Sequence, residues 1–125
     1  MACREKDYLK RQLAELARVI ARALGLREAG RSEEARVALE EGAAAALGTS
    51  WAALAAVDVQ TALGILRTPA AAEGYAQMLG AAAAIALDLG DPAHAESLEA
   101  RAAALRTAGV RDPRDPREPL APRSP

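Results

Sequence analysis

The stretch DYLKRQLAELARVIARALGLREAGRSEEARVALEEGAAAAL, Asp7 to Leu47, decides the fold. Leu9, Leu13, Leu16, Ile20 and Leu24 recur at steps of three or four residues, the spacing of one face of an α-helix. Gly30-Arg-Ser-Glu-Glu-Ala35 interrupts that period, and Ala35, Ala38, Leu39 and Leu47 resume it. A glycine closes a helix in the left-handed conformation at little steric cost, and a serine hydroxyl accepts from the free amides of the next helix. The stretch therefore reads as a helix over 7–29, a tight reversal at Gly30, and a returning helix over 33–47 capped by Ser32. Gly25 costs the first helix about 1 kcal/mol relative to alanine, unless it admits a close neighbour.

Beyond Gly48 the same punctuation recurs. Ser50 is placed to cap a turn opening at Trp51, and Asp58 a second turn through Val59, Ala62, Leu63 and Leu66, so two short helices are favoured over one. Thr68-Pro69 sets a capping hydroxyl before a proline at the first helical position, where proline lacks no hydrogen bond. The helix that follows, 69–89, presents Tyr75, Leu79, Ala82, Ala86 and Leu89 on one face, with Gly74 and Gly80 as points of close approach. Asp91-Pro92 opens a last helix with Ala95, Leu98, Ala102 and Leu105 in register, ending at Gly109.

The expectation is an all-α fold of antiparallel helical hairpins, about four long helices with one or two short ones between them. Residues 1–5 are read as a flexible N-terminus, 6–109 as the helical domain and 110–125 as a proline-rich tail. In that tail Pro113, Pro116, Pro119, Pro122 and Pro125 fall every third residue, the period of polyproline II, so the prolines share one edge of an extended chain. It serves as a solvated spacer or a peptide ligand.

Composition narrows the function classes. A chain of 125 residues holds a single core, and its apolar share of 51% is carried mainly by alanine, with no phenylalanine and only Tyr8, Trp51 and Tyr75 as aromatics. Alanine buries little area, so the helices must approach closely. A net charge of −1 supplies no field for nucleic acid or an anionic membrane. Basic residues concentrate in 4–28 and acidic ones in the next helix, which reads as two solvated faces attracting each other across the hairpin. Arg11, Arg18 and Arg22 have Glu15 among them and no interleaved aromatics, so nucleic-acid binding is disfavoured.

Chemistry-bearing residues are sparse. Cys3 is the only cysteine and His94 the only histidine, which leaves no ligand set for a metal and no nucleophile with a base. His94 reads as a solvent-facing residue near a helix cap. The Glu33-Glu34 and Glu40-Glu41 pairs are adjacent and so do not converge on one spot. No catalytic, cofactor-binding or metal-binding residue is assigned. The absence of an apolar signal core and of a spanning run places the chain in the cytoplasm by default.

Gly30-Arg-Ser-Glu-Glu-Ala35 and Gly90-Asp-Pro-Ala-His-Ala95 share a glycine at the turn and an alanine five residues on, each after a long apolar helix. This resembles the turn of tetratricopeptide repeats, in which a small residue lets the two helices of a hairpin cross closely. The family's aromatic anchors are replaced here by Leu, Val and Ala. The whole is similar to a family of uncharacterised bacterial proteins of unknown function with a tetratricopeptide-like domain. Asp7-Tyr8-Leu9, Ala23-Leu24-Gly25-Leu26, Glu33-Glu34-Ala35, the insert near Asp58–Leu66 and Leu89-Gly90-Asp91 carry that likeness. It implies a helical interaction domain and transfers no catalytic residue.

The expected function is a non-enzymatic protein–protein interaction or adaptor module, with Gly30, Ala35, Gly90 and Ala95 as its structural turns. A structural homo-oligomer is the alternative, because only Asp58, Arg67, Glu73 and Asp88 are charged between Gly42 and Gly90, more apolar length than one small core should hide. Trp51, Leu54, Tyr75 and Met78 are then the expected interface. An enzyme or a nucleic-acid binder comes last.

Overall fold

The computed structural model describes residues 2–110, which carry six helices and no strand: α1 (Ala2–Glu28), α2 (Ser32–Leu47), α3 (Trp51–Ala55), α4 (Val59–Leu66), α5 (Pro69–Asp88) and α6 (Pro92–Val110). Of the expected tail, 110–125, all but Val110 lies outside the described residues. The all-α architecture of hairpins with two short middle helices is as the sequence implied. The backbone corrects the ends. α1 begins at Ala2, ahead of the expected start at Asp7, and no glycine or proline there halts a helix. At the other end α6 runs through Gly109 to Val110.

Both long reversals are the same turn. After α1, Gly30 takes φ +80°, its N–H donates to the Arg27 carbonyl at 3.0 Å, and the Arg31 N–H reaches back to Leu26 at 2.9 Å. After α5, Gly90 takes φ +84°, its N–H donates to Leu87 at 3.0 Å, and the Asp91 N–H reaches Ala86 at 2.9 Å. These paired bonds satisfy carbonyls that a helix end would otherwise leave orphaned, and they need the left-handed residue that glycine supplies. Five residues past each glycine, Ala35 and Ala95 are buried where the returning helix meets its neighbours.

Side-chain caps appear at three of the expected places: Ser50 accepts from the Ala53 N–H, Asp58 from Thr61 and Thr68 from Ala71. Asp91 accepts from the His94 N–H at 3.1 Å. Ser32 does not cap. Arg31 occupies the cap position of α2 without a side-chain capping bond, and the Ser32 hydroxyl, inside the helix, donates instead to Asp88 at 3.3 Å.

α5 is the central element. It is apolar nearly all round, the pattern of a helix enclosed by others, and it feeds two cores. Met78, Ala81 and Ile85 join Leu16, Ala23, Ala35, Leu39 and Ala43 beneath α1 and α2. Ala72, Tyr75, Leu79, Ala83 and Ala86 join Leu54, Ala62, Leu66 and the α6 stripe of Ala95, Leu98, Ala102 and Leu105. Much of the apolar run from Gly42 to Gly90 is thus covered within the chain, while Ile65, Leu87 and Leu89 stay exposed. Close approach is used at two glycines. A Cβ on Gly42 would stand 2.5 Å from Val19 Cγ1, and one on Gly74 would stand 2.5 Å from Leu16 Cδ1. Gly25 and Gly80, expected to serve this way, face open space.

Arg101 ties the second core together. Its Nη2 donates to the carbonyls of Leu54 at 2.6 Å and Val57 at 2.7 Å, at and just past the end of α3, and its Nε to the Tyr75 hydroxyl at 3.3 Å. A guanidinium suits this place because its fixed fork serves several acceptors at once and favours a helix C-terminus. The expected attraction between α1 and α2 is not how charges pair. Among the described residues the ion pairs lie within α1 (Arg18–Glu15), between Arg31 and α2 and within it (Arg31–Glu34, Arg36–Glu33, Arg36–Glu40), between α1 and α5 (Arg27–Asp88, 2.6 Å) and between α5 and α6 (Arg106–Glu73).

Candidate binding cleft

Where the two hairpins meet across α5, they leave a cleft of about 220 Å³. Its apolar lining comes from four elements: Leu39 of α2, Trp51 of α3, Ile85 and Ala86 of α5, and Leu98 of α6. Trp51, the only tryptophan, packs against both cores and meets Tyr75 edge to face, with centroids 5.6 Å apart and rings inclined at 73°. Leu89, at the end of α5, stands on the lip with 41% of its surface exposed.

The rim is polar on opposite sides. On the α2 side Arg36 Nη1 lies 3.2 Å from Glu40 and the same guanidinium also bonds Glu33. Glu33 first, then Glu40, raise the Arg36 pKa above its ordinary value, so the cation is fixed. On the other side Asp91 holds the first turn of α6 through the His94 amide, and the exposed His94 ring lines the cleft beside it. Small-molecule pockets run to about 300–1,000 Å³. A cleft of 220 Å³ with a charged lip has instead the size for one or two side chains of an extended peptide.

The structure separates the residues expected to form an interface. Leu54 and Tyr75 lie at 0% exposure in the α3–α6 core and Met78 at 0% in the α1–α2 core, so none of the three offers a surface. Their spacing on apolar helices looked like an exposed face because nothing local signals that α5 is enclosed on both sides. Trp51 alone reaches the cleft. Gly30, Ala35, Gly90 and Ala95 stand at the reversals as expected. Sequence reading weighed Glu40, Leu89 and His94 one by one and assigned neither them nor Arg36 to a shared site. The i, i+4 pairing of Arg36 with Glu40 and the Leu89-Gly90-Asp91 turn were the available signals, but only the tertiary fold brings them together.

No group of three or more His, Cys, Asp or Glu side chains that could hold a metal occurs among the described residues, and no helix among them is long and apolar enough to cross a membrane. Comparison with protein-family models, with curated proteins and with solved structures returns no match.

Proposed function

We propose that the chain is a non-enzymatic interaction module whose two hairpins, tetratricopeptide-like in their turns, hold an extended segment of a protein partner in the Trp51 cleft. The observation that carries this reading is the cleft itself: an aromatic and aliphatic floor, open at Leu89, between a fixed Arg36–Glu40 pair and Asp91. Such a floor binds an apolar side chain, and the rim groups give orientation. The paired glycine reversals and the buried Ala35 and Ala95 support the tetratricopeptide-like reading of the hairpins.

A photoreactive residue placed at Leu89 in the full chain, expressed in its native cell, tests the proposal. It should yield a discrete adduct that is absent when the same residue replaces Ile65, which is equally exposed on α4 but does not line the cleft. His94→Trp, which fills the cleft from its exposed rim, should abolish the adduct. Equal background at both positions contradicts the proposal. An adduct with the mass of two copies of this chain would instead favour the homo-oligomer, for which the exposed Leu87 beside Leu89 is the supporting feature.

A further inference from the structure

Between the two hairpins the chain runs through α3 and α4, and this segment is held unlike the rest. One of the five residues of α3 and two of the eight of α4 are buried, against eleven of the twenty of α5. Helices of one or two turns have no stability of their own, so tertiary contact must hold them. That contact is Leu54, Ala62 and Leu66 in the second core, with half-buried side chains around them. Ordering 49–66 forfeits the conformational freedom of the whole segment for three fully buried side chains, one of them only an alanine. The balance sets it at the low end of local stability.

Its two ends are joints. Gly48 closes α2 at φ +78°. At the far end Arg67 takes φ +71° and ψ −37°, the one residue other than glycine at positive φ among the described residues. Across it the Thr68 N–H turns back to the Leu66 carbonyl at 2.8 Å, which makes Arg67 the centre of a γ-turn of the strained hand. Thr68 is extended, as the residue before a proline tends to be, so the whole reversal between α4 and α5 falls on Arg67. A residue with a Cβ keeps such a conformation only where its surroundings over-determine it. The Arg67 side chain is exposed, so the seating of α4 imposes the turn, and releasing α4 relieves it. Against release stands Arg101 on α6, whose Nη2 spans the Leu54 and Val57 carbonyls at 2.6 and 2.7 Å with charge-assisted bonds.

We propose that 49–66 is a latched strap: it detaches as a unit while the two hairpins stay folded, swinging at Gly48 and Arg67. Arg101 is the latch, and the turn at Arg67 is the strain that favours release. Trp51 is the first residue of α3, so each release takes one wall of the cleft away and each return rebuilds it. The consequence for a partner rests on the cleft being a peptide-binding surface, whereas the opening itself does not.

Amide hydrogen exchange of the full chain tests this, under conditions where closing outpaces exchange so that the rates report the open fraction. The Ala56 and Ala62 amides, bonded to the Ala52 and Asp58 carbonyls, should exchange at least about tenfold faster than those of Tyr75 and Leu79 inside α5, once intrinsic rates are divided out. Arg67→Gly removes the strain and should slow Ala56 and Ala62 about fivefold. Arg101→Met removes the latch but keeps an apolar stem, and should speed them about tenfold or more. Gly42→Ala disturbs the packing of α2 on α1, which the open form retains. It should therefore speed the α5 amides and leave Ala56 and Ala62 where they are. Exchange of Ala56 and Ala62 at the α5 rate, or in step with α5 in Gly42→Ala, overturns the proposal. Faster exchange in Arg67→Gly or unchanged exchange in Arg101→Met overturns it as well. The chain is alone in this experiment, so its outcome and that of the Leu89 adduct can fail separately.

Discussion

The α1–α2 and α5–α6 hairpins turn on the same pair of backbone hydrogen bonds around a left-handed glycine, yet they hold their helices together differently. In the first, α2 leans on α1 where Gly42 admits the branched Val19 side chain, and α1 leans on α5 where Gly74 admits Leu16. In the second, α6 lays a stripe of Ala95, Leu98, Ala102 and Leu105 against α5, and Arg101 reaches past α5 to the end of α3. A glycine turn therefore fixes only the reversal. Whether the hairpin closes by removing a Cβ or by filling with leucine depends on what the helices carry. The cleft exists because these two styles of packing meet on the two faces of α5 and leave Trp51 between them.

The largest effects come from emptying either core. Leu39→Ala and Leu105→Ala, each at 1% exposure, should both lose about 2–5 kcal/mol in a urea melt. Since α5 belongs to both cores, each variant should show one transition with an unchanged slope. Two separated transitions would break the claim that the hairpins form a unit.

The glycines sharpen the comparison at the next scale. Gly42→Ala places a Cβ against both γ-methyl groups of Val19, a β-branched side chain that cannot turn both aside, and should cost about 1–3 kcal/mol. Gly80→Ala meets nothing within 4 Å and should gain about 0.5–1 kcal/mol from reduced backbone freedom in the unfolded chain. A gain at both positions would mean that α1 and α2 do not approach closely.

Smaller again is the difference between the two restarts. Asp91→Ala removes the acceptor of the His94 amide and should cost about 1 kcal/mol. Ser32→Ala removes only an exposed bond to Asp88 and should fall within about 0.5 kcal/mol of wild type. Equal losses in thermal melts would erase the distinction.

The smallest effect is in acid. Thr61, through its hydroxyl and then its backbone N–H, lowers the Asp58 pKa below its ordinary value. A depressed carboxylate pKa contributes stability that is fully present above the unfolded value near 3.9 and lost as pH falls through the folded value. Asp58→Asn keeps a capping oxygen without the titration. Its melting temperature should therefore fall less steeply than wild type between about pH 5 and pH 3. Parallel slopes would show that the cap carries no linkage.

What could be read from the sequence was local. Gly30 and Gly90, the caps at Ser50, Asp58 and Thr68, and the α6 stripe each depend on residues within one turn of themselves, and each appears where its chemistry requires. What escaped depends on distant neighbours. Tyr75 and Met78 were read as surface because alanine-rich α5 gives no sign of having two buried sides, and Leu54 because the short α3 gives no sign of the core it enters. Ser32 was read as a cap because the serine–glycine spacing fits one, while Asp88, 56 residues away, takes its hydroxyl. Gly25 and Gly80 are indistinguishable in sequence from Gly42 and Gly74, and only the position of Val19 and Leu16 separates them. The cleft was illegible for the same reason, since Arg36, Trp51 and His94 belong to three helices.

One experiment bears on all of this at its centre: the nuclear Overhauser contacts of the Trp51 ring in the full chain. The two hairpins closing on α5 should give cross-peaks from that ring to Tyr75 and to methyl groups of both cores, those of Leu39 or Ile85 on one side and Leu98 or Ala86 on the other. A ring that contacts one hairpin only, with its other face open to water, would mean that there is no cleft between them.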